Sequence, residues 1–525
     1  MKFPILALYE RALRVETRSI AMAFARMALP GMVLVSLVPI ALMARFGQLG
    51  APGLRFFQST VWMDFFFVTL AGLSYFASAV AEEKEEMTLG LLRMTGLSPL
   101  ALLLGKSASR LTGAMLLLGV QVPFTLLAVT LGGIGNQQIA AAYCILLAYT
   151  FFLCNLALVW SVACRHTAMA AFVTGASLIA FYALPPALAA LMADTAATSG
   201  SHAMRAFAAP TLVFCNAWAG IVPFQSLNRI FSTGASFSPI DAAVIAHVVL
   251  GVLLFLLAWA IFDRCTRQEK QQVPSRGFAF RRRGPGARVP AAVVGGRAIT
   301  WKEFRIGAGG WPGLTAKLAI FGLIGAAVAC SPLISDTKPT RTYVGNSLMI
   351  VSTLLAALSL AFDSARVFRD EVRWKTLSGL AMLPISVREL VLRKIVGCAA
   401  GILPALPVFL VGFAVHPDSF IEGLADVLSG GRSLIFGAMA ILQFILFLHL
   451  TAFLSLLIKR GALPLAFVIQ YVTLTFGSAF LSMGFAMGLR TIWLPTIAGM
   501  AITCVLIWLL HHLIGERLRH AAAEE

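Results

Sequence analysis

Few residues in this chain combine a reactive side chain with a spacing that chemistry could use. Asp64, Asp363, Arg366, His247, His449, Asn155, Gln443 and Gln470 fall inside or beside long apolar runs. An ionisable group at membrane depth marks an ion or proton pathway by default. Asp64 is expected near the outer end of its run, and Asp363 and Arg366 near the inner end of theirs. Each member of this set reads more simply as a group that hydrogen-bonds between helices. No two carboxylates are spaced for general acid–base work, and no Ser, His and Asp form a nucleophilic set. The eight cysteines (Cys144, Cys154, Cys164, Cys215, Cys265, Cys330, Cys398 and Cys504) include no Cys-x-x-Cys pair and indicate neither a zinc site nor a disulfide framework. Gly105-Lys106-Ser107 imitates the end of a phosphate-binding loop, but that loop needs a glycine where Leu100 stands. No enzyme activity, cofactor or metal is expected.

The elements that must position these residues are membrane spans. Hydrophobic residues make up 59% of the 525 and charged residues only 12%, more apolar surface than a water-soluble fold of this length buries. Apolar runs of crossing length fall near 27–44, 61–81, 111–131, 138–163, 168–193 and 240–262, then near 315–334, 345–365, 395–415, 433–458, 461–485 and 492–514. The spacing predicts an all-α, polytopic membrane protein of about 12 transmembrane helices. Residues 1–262 and 301–525 would each carry six spans, joined over 263–300 by a basic linker containing Arg281-Arg282-Arg283. Alternating the spans from a cytoplasmic N-terminus places most of the 41 Lys and Arg inside, together with the linker and the C-terminus. The net charge of +18 then reflects topology and anionic lipid, not nucleic acid. Ahead of the first span, Ile5, Leu6, Tyr9 and Leu13 share one face, with Glu10, Arg11, Arg14 and Arg18 toward water, as in a helix lying on the membrane surface.

Six spans, a linker and six spans raise the question of a duplication. A shift of 288 residues aligns Glu83–Lys106 with Glu371–Lys394 without a gap, and nine of the 24 positions are identical. Leucine matches carry little weight in such a chain. The matches Glu83/Glu371, Thr88/Thr376, Ser98/Ser386 and Lys106/Lys394 carry more, and Met94/Met382 is conserved with them. The halves read as parallel repeats.

Each copy follows the second span of its half on the inner side. An acidic cluster, Glu82, Glu83, Glu85 and Glu86 in the first copy and Asp370-Glu371 in the second, suggests a protein-facing surface. A short amphipathic stretch follows, Thr88–Met94, with Leu89, Leu92 and Leu91 able to face the membrane or the bundle. A helix then restarts at the matched serine. Ser386 with Glu389 has the spacing of a capping box, whereas Ser98 can cap with Pro99 at the first helical position. Helix, tight turn and helix make a rigid elbow on the cytoplasmic face.

Glu83-Lys84-Glu85-Glu86-Met87-Thr88-Leu89, then Leu97-Ser98-Pro99 and Gly105-Lys106, resembles the elbow segment of ABC-type export permeases. The second copy keeps Glu371, Thr376-Leu377, Leu383-Pro384-Ile385-Ser386 and Lys394. Trp301-Lys302-Glu303-Phe304-Arg305 precedes the second set of spans as Tyr9-Glu10-Arg11 precedes the first. The resemblance implies a non-catalytic permease in a bacterial cytoplasmic membrane, whose elbows are coupling helices docked on separate ABC-type ATPase subunits, two copies in all. The implied coupling residues are Glu83, Glu85, Glu86, Thr88, Leu89, Ser98 and Lys106, with Glu371, Thr376, Leu377, Ser386, Glu389 and Lys394; Glu83 and Glu371 are the best placed to hold the elbows in register. Met87 departs from the family's usual glycine, and Arg373, Trp374 and Lys375 interrupt the second acidic region. The loop over 194–239 is similar to the family's re-entrant outer hairpin, without a counterpart near 486–491. Leu428-Ser429-Gly430-Gly431-Arg432 imitates an ATPase signature loop on the wrong side of the membrane. The alternative reading is an ion-coupled secondary transporter with 12 spans, which would need essential mid-membrane carboxylates or histidines.

Overall fold

The computed structural model describes residues 9–14, 20–45, 51–182 apart from 166 and 168, 210–231 apart from 212, 216 and 219, 238–267, 298–329 apart from 308 and 309, 341–382 apart from 375, 385–418, 421, 425, 431–458, 462–474 apart from 464 and 472, and 493–524. The triple-arginine linker, residues 183–209 and residues 475–492 lie outside the described residues. In the first half the helices are α1 (Ile20–Arg45), α2 (Pro52–Tyr75), α3 (Ser78–Glu85), α4 (Leu89–Met94), α5 (Pro99–Thr130), α6 (Asn136–Ala163), α7 (Met169–Tyr182), α8 (Pro223–Ile230) and α9 (Ala242–Arg267). The second half contributes α10 (Ala298–Lys302), α11 (Gly310–Ala329), α12 (Arg341–Ser364), α13 (Arg369–Trp374), α14 (Leu377–Ala381), α15 (Val387–Ala399), α16 (Ala405–Val415), α17 (Gly431–Leu457) and α18 (Trp493–Glu524).

Among the described residues no strand occurs, and seven helices are long and apolar enough to cross a membrane, or eight if the bent pair α15–α16 is one span. In lipid the helix is the element that satisfies every backbone N–H and C=O within its own segment. The expected spans near 27–44, 168–193 and 315–334 coincide with α1, α7 and α11, of which shorter apolar stretches are described. The expected span near 461–485 runs onto undescribed residues after 474.

α6 lies at the centre of the first half. It packs on α2, α5, α8 and α9, and contributes Leu146, Tyr149, Phe152 and Leu153 to a core shared with Phe56, Phe57 and Phe67 of α2. Phe467 and Val468 join this core from the second half. α9 packs one face on α6 and leaves Val249, Val252, Leu253 and Leu256 exposed, the arrangement of a helix whose outer face meets acyl chains. In the second half α12 and α16 approach through glycines. A Cβ on Gly412 would come within 2.9 Å of the Gly345 carbonyl oxygen, so only a residue without a side chain fits. The bend of 49° between α15 and α16 falls at Pro404, which has no N–H to continue the ladder.

One boundary differs from its expected place for a local reason. α2 begins at Pro52, well before the apolar run at 61, because proline suits the first helical turn. Asp64 therefore sits at the middle of α2 and not near its end. Around Pro210–Phe224 the expected re-entrant hairpin is only partly described. There, α8 lays Leu227 and Ile230 on the end of α6, Gln138 Nε2 donates to Ile230 O at 3.0 Å, and Phe224 meets Trp62 at 4.7 Å between ring centroids.

Candidate functional site

The two elbows share several local hydrogen bonds. Thr88 N–H closes on Glu83 O at 2.9 Å, and Thr376 N–H on Glu371 O at 3.0 Å. Leu92 N–H donates to Thr88 O, as Leu380 N–H does to Thr376 O. Ser98 Oγ accepts the Ala101 N–H at 3.2 Å, and Ser386 Oγ accepts the Glu389 N–H at 3.2 Å. The matched acid and base also meet in both copies. Glu83 pairs with Lys106, and Glu371 pairs with Lys394 at 2.6 Å.

The helix break before each elbow is closed by a cation. α2 ends at Tyr75, which frees a carbonyl, and the buried Arg110 of α5 donates to Tyr75 O and, at 2.6 Å, to Ser78 Oγ. Val80 and Ala81 N–H, at the start of α3, both donate to Ser161 Oγ of α6. Beyond α12 the chain turns over residues 365–368, and Lys394 of α15 donates to Val367 O at 2.9 Å. Unmet helix-end groups are thereby satisfied by side chains from neighbouring helices.

These contacts revise the role of the acidic cluster. Glu82 lies 3.7 Å from Arg110, Glu83 holds Lys106 and accepts from the Thr88 hydroxyl, and Glu85 accepts the Thr167 N–H at 2.8 Å. Three of the four acids expected on a protein-facing surface therefore tie the elbow to its own bundle, and Glu86 is the exposed one. The reason is the set of unmet donors around them: a cation at a helix break and an N–H at a helix start. Lys84 likewise turns inward, donating to Val162 O at the end of α6. Leu89 is fully buried against Val80, Leu102, Leu103, Leu158 and Phe262, whereas Leu91 is exposed and does not join that face. The capping box at Ser386 is half formed. The Glu389 carboxylate reaches forward to Arg393 at 2.6 Å instead of back to the Ser386 N–H. Thr376 is exposed beside α14, which contains Leu377.

The second elbow is the more deeply sealed. Lys394 is 0% exposed and binds Glu303 at 2.7 Å as well as Glu371, and Lys302 adds a third contact to Glu371 at 3.0 Å. Burial opposes ionisation of Glu371, but Lys394 and Lys302 outweigh it and hold its carboxyl below the usual range. Glu303 is buried beside the Glu371 carboxylate, and burial outweighs its pair with Lys394, raising its carboxyl above the usual range. Glu303 was legible only as part of a surface helix, and its pairing spans 91 positions of sequence. In the first half the surface helix is held differently, by Tyr9 OH at 3.0 Å from Thr112 Oγ1, with Glu10, Arg11 and Arg14 exposed as expected.

Beside polar side chains such as Glu86 and Thr376, each elbow displays a large apolar one. Met94 and Met382, identical under the 288-residue shift, are 83% and 84% exposed at the ends of α4 and α14. Their identity is visible in the sequence, but nothing near them in the sequence assigns them a role.

Met87 explains its own departure from glycine poorly in energetic terms. It has φ +57° and occupies the left-handed position of a Schellman cap, with Thr88 N–H on Glu83 O and Met87 N–H on Lys84 O. A side chain there costs about 1 kcal/mol. Met87→Gly is expected to stabilise the first elbow by about 0.5–1 kcal/mol, read as slower hydrogen exchange at the Thr88 amide.

The intramembrane polar residues mostly join helices, as the simpler reading expects. Gln443 Nε2 donates to Thr503 Oγ1 and Gln470 Nε2 to Gln443 Oε1, linking α17 to α18 and to the 462–474 segment. His247 Nδ1 and Nε2 meet Ala243 O and Tyr182 OH, each at 2.7 Å, and Asn155 bonds within α6. Lys317 and Asp363 form a buried pair at 3.2 Å that Ser359 joins. Among the described residues no three His, Cys, Asp or Glu side chains gather as metal ligands.

The described residues are thus all-helical, with the long apolar helices of a multi-pass membrane protein and two like-built elbows. No protein family, curated protein sequence or solved structure matches it significantly.

Proposed function

We propose that the chain is the permease of an ATP-driven exporter of the ABC type, a duplicated protein of about twelve spans with both elbows on the cytoplasmic face of the cell membrane. The observation that carries this reading is the pair of elbows: one geometry built twice, each latched to its bundle by a Glu–Lys pair and tipped by an exposed methionine. A solvated connecting loop has no need of such a design. A flexible, polarisable side chain projecting from a rigid turn suits insertion into an apolar cleft of a partner. The partner is a separate ATPase subunit, one beneath each elbow. ATP-driven closure of the two subunits would bring the elbows together and shift the permease between inward- and outward-open populations. Glu83 and Glu371 act behind the docking surface, keeping each tip at a fixed height.

Co-expression with candidate ATPase subunits and co-purification of the complex test this. Met94→Asp with Met382→Asp is expected to abolish association, about a hundredfold or more in affinity, because each places a charge in an apolar cleft. Glu83→Gln and Glu371→Gln are expected to weaken association less. A complex unaffected by both aspartates would overturn the docking assignment.

A second reading, ion-coupled transport, is favoured by one observation: Asp64 is buried at mid-helix without a basic partner among the described residues. It predicts transport that follows an ion gradient and needs no ATPase subunit.

A further inference from the structure

Three buried oxygen atoms on three mutually packed helices have no hydrogen-bond partner: Asp64 Oδ2 on α2, Gln121 Oε1 on α5 and Tyr143 OH on α6. Asp64 is 1% exposed and Gln121 0%. Gln121 Nε2 donates to Asp64 Oδ1 at 3.3 Å, which fixes the amide and leaves its oxygen unused. Tyr143 stands on α6, which packs on both α2 and α5. Thr60 precedes Asp64 by one helical turn and Thr125 follows Gln121 by one turn, so each polar pair shares a helix face. Both threonines are buried and donate to their own helix, at 2.9 Å to Phe56 O and 2.8 Å to Val122 O, which leaves their hydroxyl oxygens able to accept.

This layer has an excess of acceptors and a shortage of positive charge. Unmet polar atoms are costly at membrane depth, and native interiors almost always satisfy them. A water molecule would supply donors but leave the carboxylate uncompensated. One carboxylate balances a single positive charge, whereas a divalent ion would leave a net charge buried among apolar helices. Donors that are all oxygen suit a hard cation and not a transition metal.

The geometry points to a binding site for a small monovalent cation of the sodium class, held by Asp64, Gln121 and Tyr143 with Thr60 and Thr125 beside them. The occupant ties α2, α5 and α6 together. Since α2 leads into the first elbow and α5 leaves it, occupancy stiffens the frame on which that elbow is mounted. The site stands whichever energy source drives the protein.

The test uses the full chain in detergent, with radioactive sodium binding and tryptophan-fluorescence unfolding, replacing sodium chloride by choline chloride at constant ionic strength. Saturable sodium binding is expected, with an unfolding midpoint that rises with sodium concentration, as for any ligand held by the folded state alone. Asp64→Asn, nearly isosteric, is expected to abolish both effects while keeping a monodisperse elution profile. Tyr143→Phe, which removes one oxygen and keeps the ring, is expected to weaken sodium about tenfold. Sodium binding retained in Asp64→Asn overturns the proposal, as does a midpoint identical in sodium and choline. Stabilisation by acid alone, matched by Asp64→Asn without any cation dependence, also overturns it, because a proton would then be the occupant.

Discussion

Lys394→Met is expected to destabilise the folded chain by about 3–5 kcal/mol, because it strands the buried Glu303 carboxylate and leaves the buried Glu371 to the more exposed Lys302. Lys394 holds Glu303, Glu371 and the Val367 carbonyl simultaneously, and all three residues are buried. The equivalent Lys106→Met is expected to cost only about 1 kcal/mol, since its pair with Glu83 is partly solvated, with side chains 23% and 18% exposed. Chemical unfolding of the purified chain, followed by tryptophan fluorescence, separates the two. The two acids should also behave unequally. Glu371 titrates below the ordinary carboxylate range in the folded chain. Its contribution is therefore present above the ordinary range and is lost as pH falls through its depressed value. Glu303 titrates above the ordinary range, so it takes up a proton first on acidification, and that uptake favours the folded state. Glu371→Gln should accordingly cost more than Glu303→Gln at neutral pH. Adding Glu371→Gln to Lys394→Met should recover part of the loss, and a strictly additive double variant would contradict a shared ionic cluster.

Leu89→Ala is expected to cost about 2–4 kcal/mol, expressed as local opening of the first elbow. Leu89 is fully buried where α4 touches the α3, α5, α6 and α9 side chains Val80, Leu102, Leu158 and Phe262. α4 has six residues and no side-chain cap, so it is too short to persist without that anchor. Leu91→Ala, two residues on and exposed, should change stability by less than about 0.5 kcal/mol. Hydrogen exchange of the Leu92 and Gly96 amides measures the difference. Equal exchange in both variants would mean that Leu89 does not hold the elbow down.

Much of the local structure was legible because its causes are local. Ser98 before Pro99 and Ser386 three residues before Glu389 have the spacing of helix starts, and both serines accept the expected N–H. The long apolar runs marked helices because a segment in lipid has few other ways to satisfy its backbone. Less legible was the direction of the acids. Glu82, Glu83 and Glu85 read as a display surface because nothing nearby in sequence explains them. Their partners Arg110, Lys106 and Thr167 lie 23 to 82 residues away.

By itself, then, the sequence determined an all-helical membrane chain, the position of two elbows and the serines that start the helices after them, all consequences of composition and of contacts within a few residues. The tertiary structure decided which side of each apolar helix is core, since lipid-facing and core-facing positions are equally apolar and carry no distinguishing period. It also decided that Lys394 answers to Glu303 across 91 residues, that Met94 and Met382 are left outward, and that Asp64 is buried at the middle of α2. Those outcomes depend on where charge and hydrogen-bond demand go unmet after the helices have packed, which no local pattern encodes.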